Sequence, residues 1–388
     1  MKFKLNRNIL LSPLTLLNSV IEKTQTLPIL SNIYFSIEDG VLTMIGSDLE
    51  VEITRTIDSI DCENGSFTVM GKTITDIVRT LPDNAEISFE HNPGQHELIV
   101  TSGKSRYRLL TLPTENYPRL QTQEWEDRFK IDAKALKEAI DKVSFSMAVH
   151  DTRFSLNGVS FMIENKQLIA TSTDGHRLSM TRLDLEVDTE NERQVTVPRK
   201  AIFEINRMLE IDQGQEEKPK EEKPKLVDTS RVTFEYSRNH IRVSMPGTVL
   251  VAKLIDGKYP KFDDVLEVGE DKIELSLDRR KLTDILSRVS VIVVEEKHKG
   301  VGLRLSLSDN RLKFNVNTND QQHAFDELPV DYDGEEVLLG YNASYLLDVC
   351  RVLHAPKVTL TLDNGSNICY FNQPKDKQSL WLVMPMRI

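Results

Sequence analysis

TITDIVRTL, Thr73–Leu81, decides the architecture because its spacing returns twice, as AIFEINRML (Ala201–Leu209) and as YLLDVCRVL (Tyr345–Leu353). Each copy carries an acid, an apolar residue directly after it, then Arg and Leu at fixed offsets. Apolar positions such as Ile74, Ile77 and Leu81 fall at helical spacing, so each copy is predicted to be an amphipathic helix. Upstream of each lies a second helical pattern: ILLSPLTLLNSVI (Ile9–Ile21), ALKEAIDKV (Ala135–Val143) and KLTDILSRV (Lys281–Val289). Pro13 interrupts the first of these, predicting a helix that begins late or bends there.

After every helix comes an alternating strand, a turn and another strand. The turns are EDG (Glu38–Gly40), NPGQ (Asn92–Gln95), ENK (Glu164–Lys166), SRN (Ser237–Asn239), SDN (Ser308–Asn310) and DNG (Asp363–Gly365). Gly, Asn and Asp supply the backbone angles that tight hairpins require. The closings NYPRL, KYPKF and VMPMRI also correspond. The chain therefore reads as six helix-plus-hairpin units paired into three similar domains, 1–124, 125–264 and 265–388. The class is α+β, with antiparallel sheets backed by helices. QEEKPKEEKPK, Gln215–Lys225, departs from this plan as a charged, proline-containing insert that cannot bury a core.

At 388 residues, 39% apolar and 28% charged, the chain has the composition of a soluble globular protein of two or three domains. No stretch approaches a membrane span, and MKFKLNRNILL is too short and polar for a signal peptide, so a cytoplasmic protein without a membrane partner is expected. Cys62, Cys350 and Cys369 lack CxxC spacing and read as reduced thiols, with no metal or disulfide framework.

A net charge of −11 argues at first sight against a nucleic-acid partner. Location reverses that inference. The six predicted helices carry fifteen basic residues against seven acidic ones, a net +8, which leaves −19 for everything else. Lys72, Arg79, Arg199 and Lys200 are among those cations. If the helices face one way, that face attracts phosphate while the outer surface repels it. No recognition-helix motif accompanies it, so sequence-specific base reading is not expected.

SGKS (Ser102–Ser105) resembles the tail of a phosphate-binding loop, but Leu98 stands where that loop needs glycine, and the flanking strands predict a hairpin turn. TSTDGHRLSM (Thr171–Met180) is more provocative. On a strand Asp174 and His176 would share a face as an acid–base pair, which opens an alternative reading as a metal-dependent nuclease or phosphodiesterase. That chemistry needs a metal held by clustered carboxylates, and none is legible. The last eight residues, WLVMPMRI (Trp381–Ile388), predict a core-docked strand that Pro385 stops, with methionines forming an adaptable apolar lip.

TLPIL (Thr26–Leu30), TDGHRL (Thr173–Leu178), VPRK (Val197–Lys200), DGKYP (Asp256–Pro260), NASYLLDV (Asn342–Val349) and the closing VMPMRI occur in an order that resembles the bacterial β sliding clamp family, from Met1 to Ile388. The resemblance implies a non-enzymatic processivity factor without cofactor, a head-to-tail homodimer whose helices line a hole for duplex DNA. It places Lys72, Arg79, Arg199 and Lys200 toward the duplex, with His150 in a nearby loop. It implies a groove for short partner motifs, a glutamine followed by apolar residues. One pocket would comprise Leu156, Thr173, Gly175, Arg177, Leu178, Pro260, Val265, Leu382 and Met384. The adjoining part would use His176, Asn342, Tyr345, Val383, Pro385, Met386 and Arg387. Implied partners are the replicative polymerase, an ATP-driven clamp loader, repair polymerases, ligase and mismatch-repair proteins, at the nucleoid.

For the dimer contact the resemblance points to Tyr107 and Leu109 against Ile292 and Val293, with Lys104 and Arg106 facing Asp326 and Glu327. Three departures stand out. QQHAF (Gln321–Phe325) replaces a denser acidic run, Thr24 stands where a basic contact is expected, and Asp263 and Asp264 occupy a groove rim where relatives can be basic.

Overall fold

A computed structural model of the chain describes residues 1–24, 27–58, 63–120, 124–185, 193–213, 230–293, 302–317 and 322–387, with only the backbone of 211–213 and 293. The insert at 215–225, Cys62 and the Val293 side chain therefore lie outside the described residues.

All six predicted helices form: α1 (Arg7–Val20), α2 (Gly71–Thr80), α3 (Ala133–Val143), α4 (Arg199–Gln213), α6 (Arg279–Ser290) and α7 (Ala343–Val352). A short helix that the periodicity did not reveal, α5 (Asp263–Leu266), precedes α6. The first helix of each pair starts at an equivalent cap. Asn6 accepts from the amide of Asn8, Asp132 from Ala135 and Asp278 from Lys281. Pro13 neither delays nor interrupts α1, which begins six residues before it and buries the proline ring with Leu10, Leu14 and Leu17. Within the repeats α1 packs on α2 and α6 on α7.

The hairpins follow their turn residues. Asp39 and Gly40, Asn165 and Lys166, and Asp309 and Asn310 each place two successive residues at positive φ, the geometry that matches strand twist. SGKS is a hairpin turn as well, pairing Ser102 with Ser105 around Gly103.

The chain forms two compact units, Met1–Lys137 with Lys200–Ile255, and Glu138–Arg199 with Asp256–Ile388. In the first, twelve antiparallel strands make one sheet, joined where Val51–Ile57 pairs with Thr248–Lys253. The second holds an eight-stranded and a four-stranded sheet. Its eight-stranded sheet is joined in the corresponding way, by Arg177–Asp184 pairing with the last strand, Asp376–Val383.

In the first unit α4 is held by charge as well as packing. Lys200 donates to Glu22, 2.9 Å away, and to Asp48, while the buried Glu204 accepts from the Ser19 hydroxyl. Burial raises the Glu204 pKa, opposed by the Ser19 hydrogen bond and by the charges of Arg207 and Lys200, with Asp48 adding to the rise. A carboxyl whose folded pKa is raised holds its proton more tightly in the folded chain. Stability therefore declines as pH rises from the ordinary carboxylate range through that raised value. Glu204→Gln is expected to be at least as stable as wild type at pH ~8, with the gap closing toward pH ~5. Urea unfolding across that range tests this; a variant less stable at the higher pH would show that ionised Glu204 stabilises the helix.

Candidate functional site

The stretch Thr173–Leu178 is a turn that its own side chains lock. Asp174 Oδ1 accepts from the amides of His176 (2.9 Å) and Arg177 (3.1 Å), and Thr173 Oγ1 accepts from the amide of Gly175 at 3.0 Å. Gly175 has φ +89, and the Arg153 guanidinium lies where its Cβ would be. The first repeat builds the same turn. Asp48 Oδ1 accepts from the amides of Glu50 (2.9 Å) and Val51 (2.7 Å), and Ser47 Oγ from that of Leu49 at 3.2 Å. Asp174 is thus a repeated backbone anchor whose second oxygen takes Arg177 Nε at 3.1 Å. The acid–base reading of Asp174 and His176 fails on this geometry, because one carboxylate oxygen closes the turn, the other pairs with Arg177, and His176 is not on a strand. Among the described residues no group of three or more His, Cys, Asp or Glu is placed to hold a metal ion.

Beyond the turn, strand alternation sorts the apolar residues onto two faces. Leu178 pairs with Leu382 across the joint. Both belong to a cluster with Ile169, Met180, Ile368 and Tyr370, against which Val265, Leu266, Phe262 and Met384 pack. Trp381 and Val383 point the other way, into the core beneath α6 and α7, and Trp381 Nε1 donates to the Lys142 carbonyl at 2.8 Å. Leu156 sits in a second small cluster with Ala148 and Tyr259, and Phe262 packs against both clusters. The expected residues Leu156, Leu178, Val265, Leu382 and Met384 are therefore brought together, whereas Val383 faces the core. Phe262, Leu266 and Tyr370 were missed. The Tyr370 hydroxyl donates to the Val265 carbonyl at 3.1 Å and fixes α5 at the groove, with Asp263 and Asp264 exposed on its first turn and Pro260 exposed before it.

The strand ends at Val383, as Pro385 predicts, but the tail stays bound. The Met384 amide donates to the His176 carbonyl at 2.8 Å and the Met386 amide to the Gly340 carbonyl at 2.9 Å. Pro385, which has no amide hydrogen, falls between them and is exposed, as is Arg387. On the far side Asn342 caps α7 and Tyr345 stands on its first turn. Arg177 reaches across with its guanidinium carbon 4.4 Å from the Tyr345 ring centre and NH1 2.8 Å from Asp348.

The basic helices are less positive than the sequence sum. α1 ends before Glu22 and Lys23, and α4 runs on through Glu210 and Asp212, so the six predicted helices carry fourteen cations against eight acids, a net +6. Lys72 and Arg79 both bind Asp76, at 2.7 and 2.9 Å, and Lys200 is held by Glu22 and Asp48. Arg199 is partly buried, its NH1 on the Met147 carbonyl at 3.3 Å. His150, at φ +55, lies in a loop that also exposes Val149 and Phe154, the latter 74% accessible. The apolar run in SMAVHDTRF was the available signal for that loop. Asp151 beside them is held down to about 2 by hydrogen bonds from Arg153.

Two sheet edges carry the expected contact residues. Ser105–Leu112 pairs along one side with Glu97–Ser102, but on the other only Thr111 and Leu112 are paired. Tyr107 and Leu109 are half-buried there, Lys104 and Arg106 exposed, and Leu110 is 82% exposed. His323–Pro329 is an edge of the four-stranded sheet and exposes Phe325. Asp326 already accepts from Arg288 (2.7 Å) and Glu327 from Arg311, while Ile292 packs against the core.

Comparison with known proteins covers the whole chain. The descriptions "DNA polymerase III beta subunit" N-terminal, central and C-terminal domain match residues 1–121, 130–261 and 269–387. The β sliding clamps of Pseudomonas aeruginosa and Escherichia coli K12 are 34% and 33% identical over 100% of both chains. The solved DNA polymerase III β subunit of P. aeruginosa aligns with a TM-score of 0.88 at 33% identity, over 100% of each chain. A P. aeruginosa sliding clamp bound to griselimycin aligns at 0.89 and 34%, also over 100% of each chain.

Asp174→Ala removes the acceptor for two amides and a guanidinium and is expected to lower unfolding stability by about 1–3 kcal/mol. Asp174→Asn keeps the amide acceptor and should lose less. Urea denaturation of both variants separates the turn from the ion pair: equal losses would place the weight on Arg177.

Proposed function

This chain belongs to the DNA polymerase III β subunit family, the bacterial β sliding clamps, and we propose that it acts as a homodimeric ring that binds its partners through the groove around Leu178 and Leu382. Sliding clamps are processivity factors of DNA replication and catalyse nothing themselves. In this reading each chain supplies three domains, 1–124, 125–264 and 265–388, so that two chains enclose the duplex.

Enclosure makes weak phosphate contacts useful. A protein held on DNA by topology needs only enough attraction to centre the duplex, and contacts that are individually weak permit sliding. Lys72, Arg79, Arg199, Lys200 and His150 serve as those contacts, with cations already paired to Asp76, Glu22 and Asp48 contributing less than free ones. Phe154, in the same loop as His150, adds an apolar surface for sugar or base.

Closure of the ring uses the two sheet edges. An unpaired edge is a template for another strand, and Ser105–Leu110 of one chain against His323–Pro329 of the next would extend both sheets. Tyr107, Leu109, Leu110 and Phe325 would supply the apolar contact, together with Ile292. Lys104 and Arg106 would share Asp326 and Glu327 with Arg288 and Arg311.

The observation that carries the groove reading is the Leu178–Leu382 pair, which turns side chains of two different repeats to one face beside Met384 and Val265. Burying two large apolar side chains of a peptide there contributes roughly 3–6 kcal/mol. Ordering the peptide offsets part of that. An affinity of about micromolar suits a site shared by many partners. Those partners are the replicative polymerase, the ATP-driven loader, repair polymerases, ligase and mismatch-repair proteins, in the cytoplasm at the nucleoid. Griselimycin, bound by the P. aeruginosa clamp, is proposed to occupy the same groove here.

Two measurements test this reading. Met384→Ala with Met386→Ala should weaken griselimycin binding at least about tenfold without lowering the unfolding midpoint; unchanged affinity in a titration removes both residues from the site. Small-angle scattering with mass determination should return twice 44.3 kDa and a central hollow. A compact monomer at micromolar concentration would overturn the closed ring.

A further inference from the structure

Arg177 is the most heavily engaged side chain at the groove, and its engagements point inward. Nε lies 3.1 Å from Asp174, NH1 2.8 Å from Asp348 on α7, and NH2 2.7 Å from the Phe145 carbonyl. One face of the guanidinium lies over Tyr345, and Phe145 is 5.4 Å from its carbon. The side chain is only 11% exposed. Three acceptors in three directions hold a planar group in its own plane, so the ring stacked on that plane has little freedom left.

We propose that Arg177 is a positioning residue of the groove: it sets the place of Tyr345 and the rotation of α7, and does not itself grip the bound segment. This rests on the groove reading above. Tyr345 and Asp348 stand one helical turn apart, so stacking on one and pairing with the other fixes α7 against rotation about its axis. Asp348 is itself steadied by Arg351 at 3.1 Å, and the four charges balance as two carboxylates and two guanidiniums.

The first repeat supplies a control within the same chain. Its Asp48 turn closes with Val51 at the position of Arg177, so the turn has no need of an arginine. The side chain at 177 is therefore accounted for by what lies across the groove. The tail depends on the same arrangement: it is bonded to His176 on one side and to Gly340, just before α7, on the other. A turn of α7 would displace Tyr345 and Asn342 together from the wall that the tail completes.

A double-mutant cycle on the full-length protein tests this, with griselimycin as the titrated probe. Arg177→Lys keeps the charge but loses the fork and the stacking plane; Tyr345→Ala removes the ring. Each is expected to weaken binding about tenfold, and the double variant is expected to lose much less than the product of the two, about a hundredfold, because Arg177 acts through Tyr345 and the helix that carries it. Losses that multiply would show Arg177 contacting the ligand independently and overturn the proposal, as would Arg177→Lys binding like wild type. If Arg177→Lys unfolds, Asp348→Asn takes its place in the cycle with the same expectation. Met384→Ala separates the two levels of inference. Wild-type protein that fails to bind griselimycin, or Met384→Ala without effect, overturns the groove reading and this proposal with it; a sensitive Met384 with multiplying losses overturns only the proposal.

Discussion

The pairing of the last strand, Asp376–Val383, with Arg177–Asp184 is the constraint on which the rest of the second unit depends. It carries the sheet of the central repeat into that of the third, and its register puts Leu178 opposite Leu382 and Arg177 opposite Val383. Because side chains alternate across a strand, a slip of one residue would exchange the two faces. Trp381 and Val383 would leave the helix-backed core, and Leu382 and Met384 would leave the groove. One register thus serves the core and the proposed groove together, and the final residues are apolar on both faces.

The repeats share a backbone plan and differ in what they place on it. The turn at Asp48 and the turn at Asp174 have the same hydrogen bonds, so Glu52 occupies the place of Leu178. Glu52 is buried and takes a bidentate contact from Arg119, at 2.9 Å on Oε1 and 3.1 Å on Oε2, plus the amide of Leu120 at 3.1 Å. A buried carboxylate must be paired in this way, and its partner then covers it. In the second unit the corresponding residue is a leucine and Lys261, which aligns with Arg119 in the YP segments, is exposed. Among the described residues no ion pair crosses that apolar surface, as the proposed groove requires.

Charge follows the same division between plan and use. Helical cations give the asymmetry expected of a phosphate-facing surface, yet most of those with resolved partners also serve the fold. Lys200 ties α4 to Glu22 and Asp48, and Lys142 binds Asp376 at 2.8 Å. A cation paired within the chain attracts phosphate less, which suits the weak, sliding contacts of the proposed ring.

The repeated helices, the hairpin turns and the alternating strands were legible in the sequence because each depends on periodicity and on residues with particular backbone preferences within a few positions. The spacing of TITDIVRTL and its two relatives was enough for the class and the repeat count, and the motifs from TLPIL to VMPMRI were enough for the family. What escaped was set by contacts far apart in the chain. Phe262 and Tyr370 at the groove, the edge position of Phe325 and the inward commitment of Arg177 depend on which segments meet, and no local pattern records that. Even Asp174, which beside His176 resembles an acid–base pair in one dimension, is a turn anchor in three. Local propensity determined the elements; the register of one long-range strand pair decided which of their side chains share the face of the proposed groove.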